Sequence, residues 1–379
     1  MRILFTRFPL ESAYGGAEVQ TLALLSGLAA RRHGVAFLGS CATLLKLCWD
    51  EGILAAELEI GPPPVTKWGA VSFLWRRKSM QRRLEAAIQE FGPLDAIVML
   101  SMTEKLLFTP FALQRGIRVL WVEHDRVGRW LIKNPWLPAL RRASAGATIV
   151  TVSELSRQIY VEQLHFAPER IAVIGNGIDP QHLQGEGNET RPERTTLHVG
   201  TVARLSHDKG VDLLLQAMRD LPGVTLDIMA TGAHGRDEAK LRALAAEINA
   251  NGERIRFLPP SAAGIGAFYQ SLDVFVLPSR LHDPCPLAPM EALWTGTPVI
   301  LTDACGTTGY LKQGEEALIV PAGSVPALRD ALEKMQNPTL RQTIAHRGKC
   351  AARERFSLDR MVDAYQALLL RESEMGIRT

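Results

Sequence analysis

Cysteine is sparse and unpatterned in this chain: five occur among 379 residues, and no two stand in a Cys-x-x-Cys pair. That argues against a disulfide framework and a thiolate zinc site, and it points to a reducing compartment. Charge of one sign is missing as well, with 43 basic and 40 acidic side chains for a net +3. A nucleic-acid binder working through bulk charge would be more basic, so no nucleic acid is expected as a partner. Long apolar runs are absent. The opening MRILFTRFPL is broken at Arg7, which speaks against a signal peptide. The longest weakly polar stretch, Val19 to Ala30, falls far short of the ~20 residues that span a bilayer. No Gly-x-Gly-x-x-Gly follows the first strand, so a dinucleotide fingerprint is lacking, and no two aspartates stand two residues apart to hold a metal. These absences predict a cytoplasmic protein.

What is present is an ordinary folded composition: 46% hydrophobic and 22% charged, which excludes collagen and disordered tails. The length suggests two domains. Charge is uneven between the halves. Residues 1–180 carry 21 basic and 16 acidic side chains; the rest carry 22 and 24. Short apolar runs alternate with helical patterns. Strands are expected at Ile3–Phe5, Val35–Leu38, Ala96–Leu100, Val119–Val122, Thr148–Val152 and Ile171–Ile174. Helices are expected over Glu18–Ala30, Lys78–Glu90 and Glu154–Leu164. The polar segment Gln184–Thr195 reads as a linker. A second βα series then runs through Leu197–Val202, Leu226–Met229, Arg256–Leu258, Val274–Leu277, Pro298–Leu301 and Leu318–Val320, with a last helix over Leu358–Glu372. This alternation predicts an α/β protein of two doubly wound, parallel-sheet, Rossmann-like domains facing a central cleft. The expected boundaries are 1–185 and 196–355, with 356–379 a separate C-terminal helix.

Three constellations carry chemistry. Gly15-Gly16-Ala17-Glu18 lies between the first strand and a helix; it is either a tight turn or a place where bare backbone meets an anion. Arg204 and Lys209, in GTVARLSHDKG, flank a loop that opens a helix near Val211. A forked donor, a point charge and a helix N-terminus together suit a diphosphate. The third is Pro278 to Ile300. Asp283 sits in a loop, Pro289 suits the first turn of a helix, Glu291 is expected in that same first turn, and Gly296 ends it. Two carboxylates so placed suit two sets of hydroxyls.

Taken in order, GGAE, NGID at Asn176–Asp179, GTVARLSHDKG, the carboxylate-x7-Glu segment ending in GTPVI, and Gly306–Val320 resemble the retaining glycosyltransferases of family 4, with the GT-B fold. The resemblance implies a donor that is a nucleotide-diphosphate sugar and no separate cofactor. It implies that Gly15 and Gly16 lie against that donor, that Arg204 and Lys209 hold its diphosphate, and that Asp283 binds hydroxyls of the transferred sugar. It also implies that Glu291 holds the ribose, that Leu287 and Ala288 offer amides, and that His124 lies near the reacting carbon. The acceptor would bind the N-terminal domain, base contacts would come from loops near Phe257–Ser261, and the last helix would return to the N-terminal domain. Two features depart from the family. Asp283 replaces the usual Glu, and Pro284-Cys285-Pro286 replaces the usual Gly-aromatic-Gly, removing amides. Cys285 has no base placed beside it and reads as packing.

The expected reaction is metal-independent, retaining transfer to a glycan or lipid-linked acceptor in cell-envelope polysaccharide or glycolipid synthesis. Residues 67–91 and 129–142 mix Lys and Arg with Trp68, Trp75, Trp130 and Trp136. They read either as a peripheral contact with an anionic membrane on the inner leaflet or as solvated helices whose tryptophans face the core. Rival functions on this fold are a sugar-nucleotide epimerase, a phosphorylase and a binding protein that has lost turnover.

Overall fold

The computed structural model describes residues 1–10, 15–183, 195–231, 235–250, 252–259 and 264–371. Most of the expected linker, 184–194, lies outside them, as do Pro260 and Ser261 of the expected base-binding loop. The chain forms two units, Met1–Gly177 with Leu358–Thr379, and Ile178–Ser357.

The first unit holds seven strands: β1 (Arg2–Arg7), β2 (Gly34–Gly39), β3 (Leu54–Glu57), β4 (Ala96–Met99), β5 (Arg118–Glu123), β6 (Thr148–Thr151) and β7 (Ile171–Val173). They pair in the order β3-β2-β1-β4-β5-β6-β7, all parallel. The second unit holds six: β8 (Leu197–Ala203), β9 (Val224–Ala230), β10 (Ile255–Leu258), β11 (Val274–Leu277), β12 (Val299–Thr302) and β13 (Leu318–Val320). Their order is β10-β9-β8-β11-β12-β13, again all parallel. Helices cover both faces, so the central strands read as unbroken apolar runs rather than alternations. VFVL of β11 and AIVM of β4 are buried at every position.

Each order reverses once, between β1 and β4 in the first unit and between β8 and β11 in the second. These are the points where such sheets open a crevice at their carboxyl ends. In register, Leu4 lies between Ala36 and Ile97, which carries the chain from Arg7 toward the first crevice.

Two segments differ from expectation. β3 was not anticipated: its LAAE is poor in β-branched residues and half-exposed at the sheet edge. The helix expected at Lys78–Glu90 spans Lys67–Gln89, because the Thr66 side chain accepts from Gly69 N and starts it eleven residues earlier. Helix Leu358–Leu370 packs in the first unit, where Met361, Val362, Tyr365 and Leu369 join the core of Ile3, Phe5, Leu24 and Val98. Gly27 permits this approach, since a Cβ there would stand 2.5 Å from Val362 Cγ2.

Candidate active site

In the second unit the loops after β8 and β11 meet at the switch point. Asp208 O accepts from Arg280 N at 2.8 Å, Arg280 Nη1 donates to His207 O at 2.7 Å, and Arg280 Nη2 pairs with Asp212 at 2.7 Å. Gly210 closes the first loop with φ +66°, and a Cβ there would lie 2.2 Å from Pro278 O. No other residue fits that approach without moving backbone. Helix Val211–Arg219 starts immediately after it.

These constraints set Lys209 beside Asp283, Nζ to Oδ2 at 2.6 Å, while Ser279 Oγ donates to the same oxygen at 2.8 Å. The two expected cations therefore sit in different states. Lys209 is 15% exposed and ion-paired; Arg204 is 53% exposed, and its contact with Asp208 is stretched to 3.5 Å. Burial acts to raise the Asp208 carboxyl, but the neighbouring Ser206 hydroxyl and the charges of Arg204 and Lys209 outweigh it and hold the group below its ordinary range.

Helix Leu287–Thr295 opens at the same end, following Pro286. Leu287 and Ala288 occupy its first two positions, where helix amides have no acceptor inside the helix. Glu291 is not in the first turn as expected but begins the second. Its Oε2 accepts from the buried Tyr269 hydroxyl at 2.8 Å, and burial raises its carboxyl above the ordinary range. Cys285 is buried with its Sγ 3.7 Å from Met290 Sδ.

In the first unit Gly15 caps helix Gly16–Ala30 with extended backbone. Beside it, Arg7 at the end of β1 pairs with Glu18 at 2.6 Å, and both side chains are buried. Burial raises the Glu18 carboxyl even against the attraction of Arg7. His124 follows β5 and is half-buried. Burial, reinforced by the Arg7 charge, pushes its imidazole down to about 4, so the ring is neutral at pH 7. Lys105 Nζ donates to Glu123 Oε1 at 2.8 Å, and Tyr160 Oη donates to Glu123 Oε2 at 2.8 Å. Lys105, Glu123 and Tyr160 border a cavity of about 470 Å³, whose other wall includes Phe8, Met102 and Leu131. Sequence patterns did not announce Arg7, Lys105, Tyr160 or Tyr269, nor the pairings of Glu18 and Ser279, because each acquires its role from a partner elsewhere in the chain or from burial.

Away from these sites, Trp68 and Trp75 project from helix Lys67–Gln89 at 73% and 71% exposure, with Val71 and Leu74 also exposed. Trp130 and Ile132 are exposed too. Trp136 instead turns inward, donating to Ala70 O at 2.8 Å and stacking edge-on against Phe73. Among the described residues, no group of three or more His, Cys, Asp or Glu side chains is placed to hold a metal ion, and no helix is long and apolar enough to cross a membrane.

Residues 14–182 match the family described as Glycosyltransferase Family 4, and residues 188–350 match Glycosyl transferases group 1. The chain is 31% identical over 176 residues to the lipopolysaccharide core biosynthesis glycosyltransferase LpsE of Rhizobium meliloti, an alignment covering 45% of this chain and 49% of that one. It is 26% identical over 334 residues to the lipopolysaccharide core biosynthesis mannosyltransferase LpcC of Rhizobium leguminosarum, covering 84% and 87%. Among solved structures it superposes on Anabaena Alr3699/HepE in complex with UDP, with TM-score 0.79 and 18% identity over 97% of this chain and 99% of that one.

Proposed function

Because the chain belongs to glycosyltransferase family 4 and has the GT-B fold, we propose that it transfers a sugar from a nucleotide-diphosphate donor to a hydroxyl of a glycan or lipid-linked glycan in cell-envelope polysaccharide synthesis. The observation that carries this reading is the second unit's switch point. There Arg204, Lys209 and the N-terminus of helix Leu287–Thr295 come together on the loops that follow β8 and β11, at one end of a parallel sheet. The second unit takes the donor. Arg204 and Lys209 hold the diphosphate and stabilise the charge that builds on it as the sugar–phosphate bond breaks. Glu291, held by Tyr269, receives the ribose hydroxyls, and the amides of Leu287 and Ala288 face the donor.

The first unit takes the acceptor. Its cavity sets an apolar wall against the polar cluster of Lys105, Glu123 and Tyr160, the two surfaces a sugar ring presents. We assign the reaction to the retaining class, with the leaving phosphate helping to deprotonate the acceptor. An inverted product by NMR overturns that assignment.

The two cations also stand in for a metal, so activity is expected to survive EDTA. The protein works in the cytoplasm, at the membrane. Helix Lys67–Gln89 meets anionic lipid with Trp68, Val71, Leu74 and Trp75 among Lys67, Arg77, Lys78, Arg82 and Arg83. Failure to co-sediment with anionic vesicles argues against that contact.

The deciding experiment is a metal-free thermal-shift screen with UDP-, GDP-, ADP- and TDP-sugars, followed by turnover assays. Selective stabilisation by one base is expected. No shift and no turnover with any of them overturns the reading.

A further inference from the structure

Asp283 is committed to the protein. One oxygen accepts from both Lys209 and Ser279, and Ser279 is fully buried. The backbone is held as well, with Asp283 N donating to Ala304 O at 2.9 Å and Gly306 N donating to Asp283 O at 2.8 Å. These contacts hold the Asp283 backbone and its Oδ2 in place relative to β12. Lys209 has a flexible four-carbon stem and three rotatable donors. Its ammonium is thus the mobile half of the pair, on the donor side of the switch point, while Arg204 stands in solvent.

We propose that Asp283 is a built-in counter-ion for Lys209. It aims the ammonium in the empty site, shares it with the bound diphosphate, and reclaims it to speed release of the nucleoside diphosphate product. This rests on the donor-site reading above, and it gives Asp283 a positioning role, through Oδ2, beside the sugar-hydroxyl role implied by the resemblance. The electrostatic need is specific. When the sugar–oxygen bond breaks, the β-phosphate becomes a terminal group and gains negative charge, so the product binds a bare cation more strongly than the donor does. A fixed carboxylate 2.6 Å from Lys209 Nζ lowers the field that the product feels. Ser279 and the Ala304 and Gly306 contacts keep that carboxylate in place.

The test is calorimetric titration of the whole chain with UDP, GDP, ADP and TDP lacking any sugar. Asp283→Asn keeps the shape and the acceptor for Ser279 but removes the charge. It is expected to tighten binding of the preferred nucleoside diphosphate about ten-fold and to lower kcat through slow product release. Ser279→Ala should shift affinity the same way by about two- to three-fold. Asp283→Glu should restore weak product binding. In a Lys209→Ala background, Asp283→Asn should no longer tighten binding, because its effect acts through the ammonium.

Unchanged or weaker nucleoside-diphosphate binding in Asp283→Asn, with loss confined to the sugar nucleotide, identifies a sugar ligand and overturns the proposal. So does tightening that persists without Lys209. Should Asp283→Asn not fold, unchanged product affinity in Ser279→Ala overturns it. Failure of the unaltered chain to bind any of the four overturns the donor-site reading itself, and the proposal with it.

Discussion

The two units build the same kind of parallel sheet and open it at the same kind of switch point, yet they arrange charge there in different ways. In the first, charges are buried in matched pairs, Arg7 with Glu18 and Lys105 with Glu123, beside an apolar-walled cavity and a neutral His124. Polar groups are offered there in cancelling pairs, which suits an uncharged, hydroxyl-bearing ligand. In the second, Arg204 stands in solvent and Lys209 is one flexible stem away from leaving its partner, which suits an anion. Exposure sets Arg204 apart. The Lys209–Asp283 pair is nearly as enclosed as the pairs of the first unit, and an enclosed charge must be paired, whereas a charge at a loop surface, as Arg204 is, can wait for its ligand.

The largest expected effect breaks the first unit. Lys105→Met removes the partner of Glu123 while leaving that carboxylate shielded, with only the Tyr160 hydroxyl to satisfy it. Stranding one member of a buried pair costs about 3–5 kcal/mol, so the urea midpoint should fall sharply. A loss below about 1 kcal/mol would mean the pair behaves like a surface contact and that the contrast between the units is misdrawn.

Next in size, the second unit's two cations should separate in kinetics. Lys209→Ala should lower kcat/KM by about 10²–10³-fold, the range for losing a preorganised charge at a developing anion. Arg204→Ala should cost about ten-fold, since an exposed guanidinium is screened and must first be ordered. Equal losses on steady-state assay would show that the two cations bear equally on the reaction despite their different exposure.

How much of this was legible beforehand follows the range of the interaction. Central strands such as β4 and β11 announce themselves as short apolar runs, and Gly210 and Gly296 mark where helices begin and end. β3 gave no such signal, since Ala and Glu at a half-exposed edge carry little strand preference. The loops at Arg204–Lys209 and Asp283–Glu291 were readable as places where charged residues follow strands. Their pairings were not. Lys209 and Asp283 lie 74 residues apart and Tyr269 and Glu291 lie 22 apart, and no local pattern encodes which partner a fold will deliver. Glu291 was expected in the first turn because Pro289 was taken to open the helix, but Pro286 precedes it and Leu287 begins it.

The remaining expected effects concern pH, and they sharpen the account of the first unit's burial. Glu104 is the third residue of helix Met102–Gln114 and is fully buried; Leu100 N and Ser101 N donate to its Oε1. Burial lifts its carboxyl from 4.5 to about 8. Between those values the folded state holds a proton that the unfolded state has lost, so stability falls as pH rises across that window and levels off above it. His124 has the opposite sign. Its imidazole is lowered from 6.5 to about 4, so the unfolded state binds the extra proton, and stability falls as pH drops through that interval. The two windows overlap from 4.5 to 6.5, where the opposing slopes offset each other and leave a plateau; stability falls below it through His124 and above it through Glu104. Glu104→Gln keeps the acceptor for both amides and removes the titration, so its melting temperature should gain on the unaltered chain steadily from pH 5 to pH 8. His124→Gln should instead flatten the acid side. A Glu104→Gln gain that is constant with pH would mean the carboxyl already titrates in its ordinary range, and that the capped turn is wetter than its enclosure implies.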